Sequence, residues 1–374
     1  MKTFPILLSV SYFFIGLFHP AGVKAQKNEQ TSLNKAGIIS SLNRVAGWQL
    51  RHPAGASLTS WEYGTFYTGL MAYYNCTRQK EYLDSTIAMG KRVHWEPPPR
   101  PYDANSLAIA QVFLALYNLT KDVNMIDKSR FIIDMPLARD LQAETRFDQN
   151  KYWYEWWTWC DALFMAPAAY AMLSKITGNT KYLEYMDKMW WLTSGYLYSK
   201  TDSLFFRDDR FFNQLSAYGK KIFWSRGNGW VLGGLCNVMQ NLPVQYPARK
   251  KYEEQFVEMC YKIASLQLTN GYWSPSLLDR ENFPVKESSG TAFFCYAFAW
   301  GINNGLLPKD HFMPVLLKGW ASLVSAIQED GMPGYVQKVG DKPGQVTVND
   351  TEAYGAGAFL LAGSELIKLI EPRK

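Results

Sequence analysis

Asp161 sits in the run Trp159-Cys160-Asp161-Ala162-Leu163-Phe164-Met165-Ala166-Pro167, just ahead of an apolar helical stretch. Two roles fit an aspartate there. It can cap the helix it opens, a position that favours Asp. Or, partly desolvated by Trp157 and Trp159, its carboxyl can keep a proton near neutral pH and serve as a general acid. Pro101-Tyr102-Asp103-Ala104-Asn105 repeats the arrangement at the head of another apolar stretch. Asp103 is therefore a cap, a second active-site carboxylate, or both. A third segment, Phe223-Trp224-Ser225-Arg226-Gly227-Asn228-Gly229-Trp230, sets glycines on both sides of Asn228. That spacing points to a tight turn or a close backbone approach. Arg226 and Trp230 then either face a ligand or serve as a surface charge and a core ring. No strand precedes this glycine-rich segment and the Gly-Lys-Ser/Thr of a phosphate loop is missing, so nucleotide binding is not expected.

Other chemistries lack their residues. Of four histidines, none falls at metal-ligand spacing with another ligand type, which argues against a zinc site. The five cysteines, Cys76, Cys160, Cys236, Cys260 and Cys295, are scattered, odd in number and show no Cys-x-x-Cys pair. They do not read as a disulfide framework. The formal charge of +6 is mild and comes without the Lys/Arg blocks that nucleic-acid binding needs. Aromatics, by contrast, are 16% of the chain. Many of the 14 tryptophans fall in loop-like stretches, among them Trp61, Trp95, Trp153, Trp156, Trp157, Trp159, Trp224, Trp230 and Trp273. Loop aromatics beside acids and amides suit sugar rings, which have an apolar face and a polar rim.

Two alternating kinds of helix must position these groups. Leu107 to Leu119, Ala162 to Leu173, Trp230 to Met239, Ala292 to Trp300 and Tyr354 to Leu366 are apolar nearly all round. Between them lie one-sided stretches with stripes such as Tyr252, Phe256, Cys260 and Ile263; Leu316, Trp320, Leu323 and Ile327; and Leu183, Met186 and Trp190. Helices apolar on every face are buried and one-sided helices lie outside them. Buried helices starting near Gly64, Asp103, Asp161, Arg226, Gly290 and Gly355 make six pairs, an all-α (α/α)6 barrel of six inner and six outer helices. The motifs stand at the N-terminal ends of the inner helices, so they converge on one face, where the helix dipoles favour an anion. Short strands are expected at Tyr272-Trp273 and Tyr335 to Val339.

The start of the chain reads differently. Met1-Lys2, an apolar run from Pro5 to Phe18 and Val23-Lys24-Ala25 before Gln26 have the form of a secretory signal peptide. The run is short for a membrane span, and no cysteine stands at the cleavage point for a lipid anchor. Removing residues 1–25 lowers the charge to +4. The remaining roughly 350 residues suit a single domain, 26–374, secreted or periplasmic.

Trp159-x-Asp161 with Leu163-Phe164-Met165-Ala166-Pro167, then Arg226-Gly227-Asn228-Gly229-Trp230, Ser289-Gly290-Thr291-Ala292 and the run Gly355 to Glu365 together resemble the unsaturated rhamnogalacturonyl hydrolases. These form glycoside hydrolase family 105, related to the unsaturated glucuronyl hydrolases of family 88. The resemblance covers almost all of the mature chain in order and implies the same barrel. It also implies a substrate, a small acidic oligosaccharide ending in the 4,5-unsaturated uronic acid that polysaccharide lyases leave behind. Such enzymes hydrate the carbon–carbon double bond, and the hemiketal formed rearranges and releases the sugar. The carboxylate-separation rule of ordinary glycosidases then does not apply.

By the same resemblance Asp161 protonates C4 and helps activate water, and Asp103 orients substrate or water. Trp159 and Trp230 flank the sugar, while Arg226 and Asn228 contact it. No metal or organic cofactor is implied. One position departs from the pattern: Arg207, in Leu204-Phe205-Phe206-Arg207-Asp208-Asp209-Arg210, stands where the family usually has histidine. Arg207 either binds substrate or pairs with Asp208 or Asp209. Two rival functions remain, an (α/α)6 glycosidase cutting saturated chains, active without prior lyase treatment, and a non-catalytic glycan binder indifferent to Asp161→Asn.

Overall fold

A computed structural model describes Met1 and residues 34–53, 55–139, 144–148 and 151–370. The leader reading falls on residues outside this set. Helices α1 (Lys35–Arg51), α3 (Lys80–Arg92), α5 (Asp127–Leu137), α8 (Lys181–Leu197), α10 (Arg249–Ser265) and α12 (Lys309–Ser325) bury one side only. Between them run α2 (Trp61–Thr77), α4 (Ala108–Thr120), the broken pair α6 (Ala162–Met165) and α7 (Pro167–Thr177), α9 (Ser225–Met239), α11 (Ser288–Asn303) and α13 (Ala353–Ile370). All fifteen residues of α9 and nearly all of α11 are buried. Inner helices pack in the order α2, α4, α6/α7, α9, α11, α13 and back to α2. The ring is closed, and the (α/α)6 barrel is the observed architecture.

The sequence periodicity explains the layers. Tyr252, Phe256, Cys260 and Ile263 are fully buried on α10, as are Met186 and Trp190 on α8. Burying such side chains gives about 1.5–3 kcal/mol each against conformational entropy. The seam where the ring closes is made of small residues. A Cβ on Gly69 of α2 would collide with the backbone of Gly357 in α13, so these two inner helices meet main chain to main chain. By length and composition α13 is apolar enough to cross a membrane, but 83% of it is buried inside the barrel.

Some expectations need correction. Among the described residues the one ladder is a hairpin of β1 (Tyr198–Ser199) and β2 (Leu204–Phe205). Tyr272-Trp273 and Tyr335 to Val339 form no strand; Tyr335 takes a left-handed φ of 58° instead. Ile327 lies beyond the end of α12 rather than on its stripe. None of the five cysteines is in a disulfide, and four are buried.

Candidate active site

A cavity of about 280 Å³ opens where the inner helices begin, walled by Trp61, Asn105, Trp159, Asp161, Met165, Arg207, Trp224, Arg226, Trp230 and the segment Val339, Gly340 and Asp341. Its residues come from the heads of α2, α4, α6 and α9 and from the loop before α13. Far-apart motifs therefore meet because the barrel turns every inner helix the same way.

Asp161 precedes α6 in helical conformation (φ −63°, ψ −27°), and its side chain makes no capping bond. The simple capping role is excluded. Its carboxyl is 11% exposed, takes the Cys160 Sγ–H at 3.5 Å and lies 3.5 Å from Arg207 Nε. Burial pushes its pKa above the ordinary carboxylate value, while Arg207 and Arg226 pull the other way. Desolvation wins, so the carboxyl holds its proton more firmly than an exposed aspartate does.

Arg207 lies along the same wall. Its Nη1 donates to Asp208 at 2.7 Å and its guanidinium sits 4.8 Å from the Phe147 ring centre. Asp208 is fully buried and is shared with Arg210, which donates to it through Nε and Nη2 at 2.8 Å each and reaches Asp341 at 2.8 Å. Partial burial notwithstanding, Arg210 and Arg207 hold the Asp341 carboxyl below its usual value. Arg207 makes the Asp208 pair that one of the sequence alternatives named, and it also lines the cavity.

Arg226 is 1% exposed, between the rings of Trp224 (4.4 Å) and Tyr354 (4.7 Å). Its two terminal nitrogens donate to the carbonyls of Gln337 and Lys338, so the fork clamps the wall segment instead of standing free. Nε of Arg226 is buried without a hydrogen-bond partner, and buried Nε of Arg207 makes no hydrogen bond beyond its 3.5 Å ion pair with Asp161. Two guanidinium groups on one cavity wall place positive charge where an anionic ligand would be favoured.

Trp159 and Trp230 are 2% and 1% exposed, and both reach the cavity. Trp61, whose ring stacks on Tyr354 at 5.1 Å and meets Trp230 edge-on at 5.9 Å, completes an aromatic wall. Trp224 also lines the cavity, whereas Trp273 and Trp157 are structural. Trp273 is fully buried and donates to the Ile263 carbonyl at 2.7 Å, and Trp157 packs on Tyr170.

Two expected site residues lie elsewhere. Asn228 is fully buried and fully used: Oδ1 accepts from Phe205 N at 2.8 Å, and Nδ2 donates to the carbonyls of Phe205 and Trp224. It pins the hairpin to the head of α9 and has nothing left for substrate. The glycines flanking it are helical, and they allow close approach by Cys160 and Phe293 instead of making a turn. Asp103 caps the 3-10 turn Ala104–Leu107 through Asn105 N (3.0 Å). It lines a neighbouring depression with Arg100, Tyr102, Tyr154 and Glu155, while Asn105 reaches the Asp161 cavity. Burial raises the Asp103 carboxyl as well, against the pull of Asn105 N–H and Arg100.

Sequence reasoning missed Asn105, Met165 and the Val339–Asp341 wall. The last comes from a segment more than a hundred residues from Arg226, and nothing local marks it. A second cavity of about 310 Å³ opens at the opposite ends of the inner helices, but its carboxylate, Glu365, is paired with Lys368 and Asn303. Among the described residues no group of three or more His, Cys, Asp or Glu side chains is placed to hold a metal ion.

Residues 23–370 match the family described as Glycosyl Hydrolase Family 88. An unsaturated 3S-rhamnoglycuronyl hydrolase of Alteromonas sp. (strain LOR) is 36% identical over 318 residues, 82% of this chain and 77% of that protein. Another of the same name from Formosa agariphila is 34% identical over 353 residues, 91% and 93% of the two chains. The solved structure of a glycosyl hydrolase family 88 protein from Bacteroides vulgatus superposes with a TM-score of 0.82 at 30% identity, covering 90% of this chain and 99% of that one.

Proposed function

Because the chain belongs to glycosyl hydrolase family 88, and is thus a glycoside hydrolase acting on unsaturated uronic acid oligosaccharides, we propose that Asp161 is the group that starts its reaction. The observation that carries this is a carboxyl at a helix entrance that caps nothing and faces an arginine- and tryptophan-walled cavity. Its proton goes to C4 of the enol ether, and positive charge builds at C5 and the ring oxygen. The carboxylate left behind stabilises that charge and then accepts a proton from the water attacking C5. The C5 hemiketal so formed opens to a ketone, breaking the bond from C5 to the ring oxygen, and the hemiacetal left at C1 collapses to an aldehyde and releases the neighbouring sugar.

The electrostatics support substrate-assisted protonation. In the free enzyme Arg207 and Arg226 lower the proton affinity of Asp161. A uronate carboxylate bound beside their guanidinium groups offsets that effect, so Asp161 becomes a better-protonated acid once substrate is in place. Trp159, Trp230 and Trp61 form the apolar wall against the sugar. Asp103 acts from the next depression, holding the turn that presents Asn105. The curated relatives, named for 3S-rhamnoglycuronyl substrates, favour a rhamnose beneath the uronide.

Lyase-generated oligosaccharides from rhamnogalacturonan, arabinogalactan and ulvan provide the test. The unsaturated uronide absorbs ultraviolet light, and hydration removes that absorbance. At least one panel member is expected to lose it; if none does, the reading fails. The exported location rests on residues 1–25, and N-terminal sequencing of the mature protein should begin at Gln26.

A further inference from the structure

Gln111 is the lone polar residue in the run Ala108 to Leu116 on α4, and it is 4% exposed. Its Nε2 donates to the carbonyls of Phe164 (2.9 Å) and Met165 (3.0 Å). The helix breaks just after these carbonyls. Pro167 has no N–H to offer Leu163, and Ala169 gives its N–H to Ala166 instead of Met165. On the other side, the N–H groups of the same two residues, Phe164 (3.0 Å) and Met165 (3.4 Å), both donate to the carbonyl of Asp161. Phe164 and Met165 are thus gripped from both ends, by Gln111 and by the main chain of Asp161. The Asp161 side chain contributes no capping bond of its own.

We propose that Gln111 is a positioning residue for the reaction, fixing from behind how deeply the Asp161 carboxyl sits between Arg207 and Arg226. This rests on Asp161 being the proton donor. Gln111 donates to the short helix that Asp161 opens, and Met165 at its far end is itself part of the cavity wall. If the clamp is released, the turn loosens and water reaches the carboxyl. Desolvation then weakens, and the proton is held less firmly.

Gln111→Met keeps the length and loses both donors, and the cavity of about 310 Å³ that Gln111 borders leaves room for the sulfur. Its kcat is expected to fall about tenfold or more with KM within about twofold of wild type, as for lost alignment of a reacting group. The alkaline limb of the kcat profile should move to lower pH. Gln111→Glu provides a second readout: when neutral it donates one bond, so its kcat should recover towards acid pH beyond the wild-type trend. Thermal unfolding separates this role from simple packing. A lowered Tm in both variants with kcat, KM and the alkaline limb unchanged per folded molecule would overturn the proposal. Asp161→Asn run alongside keeps the two claims distinct. An active Asp161→Asn defeats the proton-donor reading, whereas an inactive Asp161→Asn beside a wild-type-like Gln111→Met defeats only the role of Gln111.

Discussion

Two inner helices of this barrel begin at a buried acid, and the two acids are used in opposite ways. At the head of α11, Glu287 is fully buried and accepts from Ser289 N (2.9 Å), Gly290 N (2.7 Å) and Gln337 N (3.3 Å). Its lone pairs go to these main-chain groups and to the Ser289 hydroxyl. At the head of α6, Asp161 is nearly as buried, yet its carboxyl caps none of the helix N–H groups and faces the cavity. Position in the fold and residue class are the same, so neither identifies the reactive acid. What separates them is where the oxygens spend their hydrogen bonds. Glu287 is structural, and the Asp161 carboxyl faces the cavity beside Arg207, as the proposed proton donor requires.

The contrast predicts effects of different kinds. Asp161→Asn should cost about 10²- to 10⁴-fold in kcat, read by the loss of ultraviolet absorbance, without lowering Tm. The sign follows from the raised pKa. Burial favours the neutral carboxyl, so its stabilising contribution is present below the unfolded value and is lost as pH rises through the folded one. At neutral pH the amide is therefore no worse for the fold than the carboxylate. Glu287→Ala should do the reverse, unfolding about 2–4 kcal/mol more easily in denaturant because it strands buried N–H groups. Its folded fraction should keep most of its activity.

Asn228→Ala should lose about 1–3 kcal/mol of stability with little change in KM, since its amide ties β2 to α9 and does not touch the cavity. The smallest effect concerns pH. The alkaline limb of kcat should lie above that of kcat/KM, because bound uronate offsets the two arginines. Arg207→Gln removes the larger of the two lowering charges, so the free-enzyme limb should itself move upward. Coincident limbs, unmoved by Arg207→Gln, would argue against any coupling of Asp161 to those cations.

The layers, the order of the helices and their approximate starts were legible because periodicity is a local property. Tyr252, Phe256, Cys260 and Ile263 declare an inward stripe without reference to anything else. Asp161 was also legible, as one of several candidates. What local pattern cannot carry is partnership. Asn228 looks like a ligand contact until Phe205 and Trp224 are seen taking its donors, and Arg226, though it lines the cavity, spends both terminal nitrogens on Gln337 and Lys338. Asp103 looks equivalent to Asp161 until its bond to Asn105 N and its separate depression are known. Gln111 did leave a trace, an amide alone in an apolar run, but its meaning depends on a helix break fifty residues away.

The most direct measurement follows one unsaturated disaccharide with wild type and Asp161→Asn, recording ultraviolet absorbance and release of the neighbouring sugar in the same sample. The account predicts that wild type loses absorbance in step with sugar release and that the variant does neither at a comparable rate. Release of the sugar while absorbance persists, or an Asp161→Asn enzyme that bleaches as fast as wild type, would contradict it.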